Sequence, residues 1–563
     1  NCVNNSCLLE LRYTCIFYTW SNRRYIRHDF VDRKLDRALI NSKWLDTYPN
    51  SHANFQPPGI SDHSPIIVDL GIAIRHKGLP FKFYNNWASL DNFDNTVAEA
   101  WNRNVEGTYQ FQLCHKLRIL KSELKIFTKN IFGKEKLKAN EARAALLGCQ
   151  TLIDTYPNDM TYRTKENELM ARFLEATRIE EKVLKQKARN NWLEVGDRNS
   201  KYFYNAIKGR RNRKRIVTLT TPDGSQTNTV EEAKEESLRF FKSMLGSPTT
   251  NLYPGLDHIQ NIVNKTISQE HFQILNSVPT MEEIKDALFS VDSNKAPGPD
   301  GFNAFFFKRC WDIVGDLVVK AVMEFFNSSE MLKESNTTII SLVPKIPNPS
   351  AMGDFRPISC CNTVYKCISK LISSRLQKVL PEIVEHAQSA FIKGRKICDN
   401  VLLAQDLMRD YHKTDGQPRA AAKIDLMKAY DTVNWDFIFD LLHALGFPKT
   451  MIGWIKACVT TPSYSINFNG EYLGYFRGAR GLRQGDPMSP YLFVLIMDFL
   501  SQLLKHNIVK AEHFKYHWRC EKLDISHLCF TDNLLIFFHG NLNSAAVINS
   551  SLIQLYNFTG FKA

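Results

Sequence analysis

The chain has 563 residues, of which 44% are hydrophobic and 23% are charged, and its formal net charge is +14. This length exceeds what one hydrophobic core can organise, so it predicts two to four folding units, and the composition excludes a disordered or fibrous chain. The excess of Lys and Arg favours a polyanionic partner, nucleic acid before an anionic membrane, with a basic surface that binds no ligand as the alternative.

The cysteine pattern and the N-terminus predict an intracellular protein. The 13 cysteines are scattered, and the adjacent Cys360 and Cys361 suit reduced thiols better than a disulfide framework. No basic-then-apolar signal pattern opens the chain, and the longest apolar segment, residues 490–500, is interrupted by Asp498 and is predicted to be a buried helix. We therefore expect a nuclear or cytoplasmic protein that is not secreted and has no membrane partner. The start at Asn1 suggests a piece of a longer polypeptide.

The first part of the chain is predicted to be a small β-rich unit followed by helices. Residues 1–71 contain two short β-type runs, 13–19 and 64–70, separated by polar turns. In residues 72–215 the apolar residues from position 113 recur in steps of three and four, and a second helix reaches about position 192. This pattern predicts an antiparallel helical pair that acts as a spacer.

The spacer ends in the densest basic run of the chain, residues 208–215 (Lys-Gly-Arg-Arg-Asn-Arg-Lys-Arg). Such a run can neutralise phosphates or serve as a nuclear localisation signal. A solvated helix end is the alternative. Further on, Thr280 and Glu283 form the sequence pattern of a capping box, which predicts the start of a helix. From residue 291 to the end, helices and strands alternate, which predicts an α/β unit.

Three segments in the last third carry residues that suit phosphoryl transfer. Asp425 ends a β-type run, and Asp532 lies in a polar turn between two apolar strands. Segment 481–490 places two glycines before an apolar helix. Taken singly, these are a helix N-cap (a role that fits Asp431 better than Asp425), an ordinary hairpin and a loop-to-helix junction. Together, the two aspartates on adjacent strands would supply carboxylates within about 4–6 Å, as a site for two divalent ions requires.

The order of these segments resembles the reverse transcriptase domain of non-long-terminal-repeat retrotransposons, the plant LINE type in particular. Four further motifs share the resemblance: 295–301 (Lys-Ala-Pro-Gly-Pro-Asp-Gly), 342–345 (Leu-Val-Pro-Lys), 355–359 (Phe-Arg-Pro-Ile-Ser) and 388–395 (Gln-Ser-Ala-Phe-Ile-Lys-Gly-Arg). The resemblance implies an α/β right-hand polymerase with fingers and palm in residues 291–563, preceded by an N-terminal extension in residues 216–290. Because the chain stops where the next palm motif of the family begins, the rest of the palm and the thumb are expected to be missing.

The resemblance also implies an activity, RNA-directed DNA polymerisation by a nucleotidyltransferase. The partners would be an RNA template, a DNA primer or target and dNTPs, and the cofactor would be Mg²⁺ in a two-metal site. Asp425 and Asp532 would be the metal ligands, and Asn533 would complete the catalytic set.

Further residues would contact the substrates. Lys345 and Arg356 would lie on the fingers and meet the template or the incoming triphosphate, with ordinary surface salt bridges as the alternative. Tyr430 would clash with a ribose 2′-OH, with a plain core position as the alternative. Gln484 and Gly485 would touch the pair formed by template and dNTP.

One position departs from the family pattern. The family has an aromatic residue, Ala, Asp and Asp at the hairpin, whereas this chain has Phe530, Thr531, Asp532 and Asn533. Asn533 offers a neutral carbonyl oxygen where a carboxylate belongs. By analogy with the loss of one preorganised electrostatic group, we expect a rate loss on the order of 10² or more. The sequence therefore predicts an impaired, degenerate copy with a weakened metal site.

The N-terminal residues show a second resemblance, to the last third of an endonuclease/exonuclease/phosphatase fold. It rests on Thr19 and Trp20 and on the segments 34–37 (Lys-Leu-Asp-Arg) and 61–65 (Ser-Asp-His-Ser-Pro). It implies that Asp36 and His63 orient one another, as a general base requires, and that Asp62 lies on the metal side. A solvated Asp–His pair is the alternative. The half of the fold with the metal-binding Glu is absent, so no nuclease activity is expected.

We therefore predict a reverse transcriptase domain protein. A catalytically silent fragment that binds nucleic acid is one alternative, favoured by Asn533 and by both truncated ends. A maturase or an RNA-templated RNA polymerase on the same palm is the other, disfavoured by Tyr430 and by the endonuclease resemblance.

Overall fold

The computed structural model describes residues 8–15, 17–22, 31–56, 58, 61–70, 80–156, 159–188, 214–248, 253–346, 348–409, 411 and 418–561. Most of the basic run 208–215 lies outside these described residues. Within them, helices and strands both contribute to the core, so the chain has a mixed α/β fold, as the sequence predicts.

The helices of the described residues begin and end as follows: α1 Ser42–Thr47, α2 Phe93–Trp101, α3 Tyr109–Thr155, α4 Met160–Ala188, α5 Val230–Leu245, α6 Leu256–Gln260, α7 Gln269–Asn276, α8 Met281–Phe289, α9 Ala304–Arg309, α10 Trp311–Ser328, α11 Thr363–Ile383, α12 Ile397–Leu407, α13 Ala429–Thr432, α14 Trp435–Ala444, α15 Lys449–Thr460, α16 Ser489–Lys510 and α17 Leu542–Thr559. The capping box before α8 is confirmed, because the Thr280 side chain accepts from the Glu283 N–H while the Glu283 side chain accepts from the Thr280 N–H.

The strands are short: β1 Leu9–Glu10, β2 Tyr13–Cys15, β3 Trp20–Ser21, β4 Asp32–Arg33, β5 Leu39–Ile40, β6 His52–Phe55, β7 Ile66–Asp69, β8 Thr337–Pro344, β9 Phe355–Cys361, β10 Ala420–Asp425, β11 Ser463–Phe468, β12 Glu471–Arg477, β13 His527–Phe530 and β14 Asn533–Phe538. The sheets have the strand orders β1-β5, β3-β4, β2-β6-β7, β12-β11-β8-β9 and β10-β14-β13. The last two sheets carry Arg356 on β9, Asp425 on β10 and Asn533 on β14.

The N-terminal strands form a small unit with its own core, which includes Leu11, Tyr13 and Phe55. The run 13–19, predicted as one β segment, is a strand only at β2. The chain turns away after β2 because Thr19 pairs elsewhere: its N–H donates to the Arg33 carbonyl, and its hydroxyl accepts the N–H groups of residues 35 and 36.

The apolar seam at the start of α3 is confirmed and lies deeper than a spacer requires. Leu113, Leu117, Leu120 and Leu124 are buried in the main hydrophobic core, the same core that holds α11, α14 and α16. Helix α3 runs for 47 residues and α4 packs beside it. The first half of α3 is therefore part of the body that carries the candidate site.

Helix α16 is a long apolar helix beside the site. Among the described residues it is the helix whose length and composition would allow it to cross a membrane, but most of it is buried inside the protein. Its burial confirms the expectation of a core helix. The packing matters for the site because α16 directly follows the glycine-containing loop.

Candidate active site

Strand pairing brings the strand-end aspartate to the hairpin turn. Strand β14 lies between β10 and β13, and both pairings are antiparallel. Asp425, the last residue of β10, is the register partner of Asn533, the first residue of β14. Directly opposed residues place their side chains on the same face of a sheet. Asp425 and Asn533 are both exposed on that face, and Asp532 precedes Asn533 in the turn and is partly buried.

The turn that carries Asp532 is tight and strained. Phe530 pairs with Asn533, so only Thr531 and Asp532 lie between the two strands. Thr531 has φ +58°. A β-branched residue in this left-handed region is a genuine outlier, and such strain concentrates at functional sites. The family pattern has the smaller Ala at this position.

Tyr430 lies beside the turn and is packed on a core aromatic ring. Its ring stacks on Phe493, with the ring centroids 4.3 Å apart and the planes 13° from parallel. Burial raises the pKa of the Tyr430 hydroxyl well above its usual range, and the negative charge of Asp532 raises it further. The Tyr430 phenol therefore stays protonated next to Asp532, and its stacked ring borders one side of the site.

The loop that follows β12 reaches the same region through Gln484. Its side-chain Nε2 donates to both carboxylate oxygens of Asp431, at 3.1 and 3.2 Å. Its backbone carbonyl accepts the Ser359 N–H from β9 at 2.8 Å. Gln484 is thus tied at its backbone and at its side chain, which fixes the direction of its amide.

Two glycines of this loop are required by close backbone approach. Gly481 has φ +85°, and a Cβ there would lie 2.5 Å from the carbonyl oxygen of Asp431. Gly485 has φ +101°, and a Cβ there would lie 3.3 Å from the carbonyl oxygen of Ser359. Both positions need glycine for conformation as well as for space. The predicted contact of Gly485 with a template–dNTP pair remains a prediction.

Asp431 is a functional candidate that the sequence reading missed. The N-cap interpretation of this residue is wrong, because Asp431 lies inside α13 and Lys428 occupies the N-cap. Burial raises the pKa of the Asp431 carboxyl to about 6, against the hydrogen bond from Gln484 and the positive charges of Lys345 and Lys428. The position of Asp431 directly after Tyr430 could have drawn attention to it. Its hydrogen bond with Gln484 joins residues 53 positions apart, and no local sequence pattern indicates such a contact.

Lys345 and Arg356 provide positive charge on the hairpin of β8 and β9. Both side chains are exposed, and Arg356 is the register partner of Val343. The Lys345 ammonium donates to the carbonyl of Gly353 at 2.9 Å. In the part of the chain that the structure describes, neither residue forms a salt bridge with a carboxylate. Their charges are therefore available to a polyanion.

The residues at the turn fit Mg²⁺ in kind. Asp425 and Asp532 offer carboxylate oxygens and Asn533 offers an amide oxygen, the hard donors that this ion prefers. No group of three or more His, Cys, Asp and Glu side chains that could hold a metal ion occurs among the described residues. Asn533 adds an oxygen to this set without adding charge, and the expectation of a weakened metal site stays a prediction.

The N-terminal unit brings its three predicted residues together. His63 Nδ1 lies 2.9 Å from Asp36 Oδ2, and Trp20 Nε1 donates to Asp62 Oδ2 at 3.0 Å. The hydrogen bond with Asp36 raises the pKa of His63, desolvation opposes it, and the negative charges of Asp36 and Asp62 raise the pKa further. His63 is exposed and Asp36 is partly buried, so a solvated Asp–His pair also fits this geometry.

Comparisons with known proteins show what this chain is similar to. Residues 344–561 match the family model described as reverse transcriptase (RNA-dependent DNA polymerase). A Xenopus laevis protein named "Transposon TX1 uncharacterized 149 kDa protein" is 26% identical over 496 residues, which cover 84% of this chain and 36% of that protein.

Two insect proteins match a shorter stretch. The Drosophila melanogaster "Retrovirus-related Pol polyprotein from type-2 retrotransposable element R2DM" is 27% identical over 232 residues, 41% of this chain and 21% of its own length. A similarly named type-1 R2 polyprotein of Nasonia vitripennis is 25% identical over 228 residues, 39% of this chain and 21% of its own length. The matched residues thus span between 21% and 36% of the length of these three relatives.

Proposed function

We propose that the chain binds a DNA primer on an RNA template and extends it slowly, because residues 344–561 match the reverse transcriptase family model and the chain is similar to proteins named as retrotransposon polyproteins. The observation that carries the proposal is the register of β10 on β14, which sets Asp425 opposite the turn containing Asp532. Two carboxylates so placed are the protein's part of a metal-assisted nucleotidyl transfer.

We assign the remaining side chains to binding and positioning. Lys345 and Arg356 would neutralise phosphates of the template or the triphosphate. Tyr430, held flat against Phe493, would close the side of the site where a ribose 2′-OH would enter. Gln484, fixed by Asp431, would contact the nascent base pair. With these roles we assign residues 291–563 to the fingers and palm of a right-hand polymerase, with residues 216–290 as an extension.

Mg²⁺ held by Asp425 and Asp532 would neutralise the charge that develops on the transferring phosphate. Asn533 contributes no charge to such a site, so the attraction for the ion and the stabilisation of the transition state both fall. This is the basis for proposing an impaired copy. The same residue favours the second candidate function, a fragment that binds nucleic acid without catalysis.

The proposal is tested by primer extension with Mg²⁺ on an RNA template. The full chain carrying Asn533→Asp should extend a DNA primer, and a further Asp425→Asn or Asp532→Asn change should abolish the extension. Asp524→Asn is the matched control, because Asp524 is exposed and has φ +50°, a conformation that Asn tolerates. Extension that survives Asp425→Asn would contradict the assignment. Absence of extension by the Asn533→Asp chain would favour the silent binding fragment.

For the N-terminal unit we propose descent from an endonuclease/exonuclease/phosphatase fold, supported by the Asp36–His63 hydrogen bond. Asp62 lies near this pair, but no three acidic, His or Cys side chains among the described residues are arranged so that they could hold a metal ion. Supercoiled plasmid incubated with the same preparation and Mg²⁺ should therefore stay intact. Nicking that His63→Ala removes would refute this expectation.

A further inference from the structure

Gln388 opens the motif 388–395 and is completely buried, with a relative exposure of 0%. A buried amide must find partners for its oxygen and its nitrogen, or its burial costs free energy. The segment around it runs along β13: the Cys529 N–H donates to the Ala387 carbonyl at 2.8 Å, and the Ser389 N–H donates to the Cys529 carbonyl at 3.2 Å. Residues 387–389 therefore add a short parallel edge to the sheet that carries the turn.

The side chain of Gln388 holds the turn through the backbone of Thr531. Its Oε1 accepts the Thr531 N–H at 3.3 Å and the Ala390 N–H at 2.9 Å. Its Nε2 donates to the Thr531 carbonyl at 3.4 Å and to Cys529 Sγ at 3.2 Å. One amide thus engages both polar backbone groups of the strained residue, although the two residues are 143 positions apart.

The segment that presents Gln388 is itself tied down. The Arg395 guanidinium donates to the carbonyls of Gln388 at 2.7 Å and of Val384 at 2.8 Å. Asn400 Nδ2 donates to the Cys529 carbonyl at 3.1 Å and to Ser389 Oγ at 3.0 Å. The two ends of the motif 388–395 therefore act together, with Arg395 fixing the backbone from which Gln388 reaches the turn.

We infer that Gln388 is a positioning residue for Asp532: it fixes the left-handed conformation of Thr531 and so aims the carboxylate that follows. The inference rests on the proposed function, because it takes Asp532 as a metal ligand. Groups that hold a metal ligand in place commonly contribute 10–100-fold to metal affinity. Gln388 contacts neither substrate nor metal and acts through the turn.

The test replaces Gln388 by Met, which has a similar volume and no amide, in the full chain carrying Asn533→Asp. The matched control is Gln110→Met. Gln110 is also buried, and its amide makes the same two-way contact elsewhere, donating to the Glu330 carbonyl at 2.9 Å and accepting the Leu332 N–H at 3.0 Å. Each variant loses the hydrogen bonds between a buried side-chain amide and the backbone, so a general loss of stability should affect both alike.

The first readout is Mn²⁺ affinity, followed by electron paramagnetic resonance, at the site that Asp425→Asn removes. Gln388→Met should weaken this affinity by about 10-fold or more, and Gln110→Met should leave it within about twofold of the parent. The second readout needs no metal. Amide hydrogen exchange of the peptide 528–534 should be faster in Gln388→Met than in the parent and unchanged in Gln110→Met.

The outcomes separate this inference from the function it rests on. If the Asn533→Asp chain has no Mn²⁺ site that depends on Asp425, the proposed function fails and the inference fails with it. If the site exists and Gln388→Met binds Mn²⁺ as tightly as the parent, the inference alone is overturned, even where exchange at the turn is faster. Equal losses in both Met variants would also overturn it, because the effect would then be general destabilisation.

Discussion

The loop 481–488 and the hairpin turn 530–533 flank the same site but are built differently. The loop contains a buried ion pair, Arg483 with Asp486 at 3.1 Å, and Asp486 also accepts from the Tyr365 hydroxyl at 2.6 Å. Arg483 donates in addition to the Cys458 carbonyl at 3.0 Å. The turn is partly exposed, carries a strained Thr531, and makes its contact to the body of the protein through Gln388.

Because of this difference, substitutions in the loop are expected to change folding stability, and substitutions in the turn are expected to change the charge at the proposed metal site. A change in the loop removes a partner from a buried charge, so it acts on folding. A change in the turn from a carboxylate to an amide of nearly the same volume leaves the packing intact and alters only charge. If the proposed function holds, an amide at position 533 would therefore lower catalytic power while the scaffold and the proposed phosphate-binding side chains persist.

The largest change in the free energy of unfolding is expected for a substitution in the loop. Arg483→Leu should lower the free energy of unfolding by roughly 3–5 kcal/mol, because it leaves Asp486 charged and buried without its cation. The measurement is denaturant unfolding followed by circular dichroism. Arg356→Leu is the control, an exposed arginine whose loss should change stability by no more than about 0.5 kcal/mol. Equal stability of the two variants would show that the buried Arg483–Asp486 ion pair does not stabilise the fold.

A smaller effect, of opposite sign, is expected in the turn. Thr531→Gly should raise the free energy of unfolding by up to about 1 kcal/mol, because relief of the left-handed strain exceeds the added entropy of the unfolded chain. Thr337→Gly, in strand β8, is the control and should destabilise, since glycine weakens a regular strand. A loss of stability at position 531 similar to that at position 337 would show that Thr531 is not strained.

Local sequence patterns predicted some elements of this structure. Contacts between residues far apart in the chain could not be predicted from such patterns. The leucine spacing in α3 and the capping box before α8 are encoded within one or two helical turns, so both were readable. A β-type run ending at Asp425 and two apolar runs flanking Asp532 indicated three strands and a turn, and the observed register brings them together. The contacts of Asp431 with Gln484 and of Gln388 with Thr531 join segments 53 and 143 positions apart. No periodicity in a single sequence specifies such meetings.

We expect this chain to bind a primer on an RNA template but to extend it slowly, and one paired measurement tests this directly. Affinity for a primer on an RNA template and the rate of extension with Mg²⁺ are measured for the present chain and for Asn533→Asp, across a salt series. We expect affinities that agree within about twofold and fall steeply as salt rises, because Lys and Arg contacts to phosphates release counterions. Extension should rise on the order of 10² or more in Asn533→Asp. Equal extension by the two chains, or binding that does not respond to salt, would contradict the account.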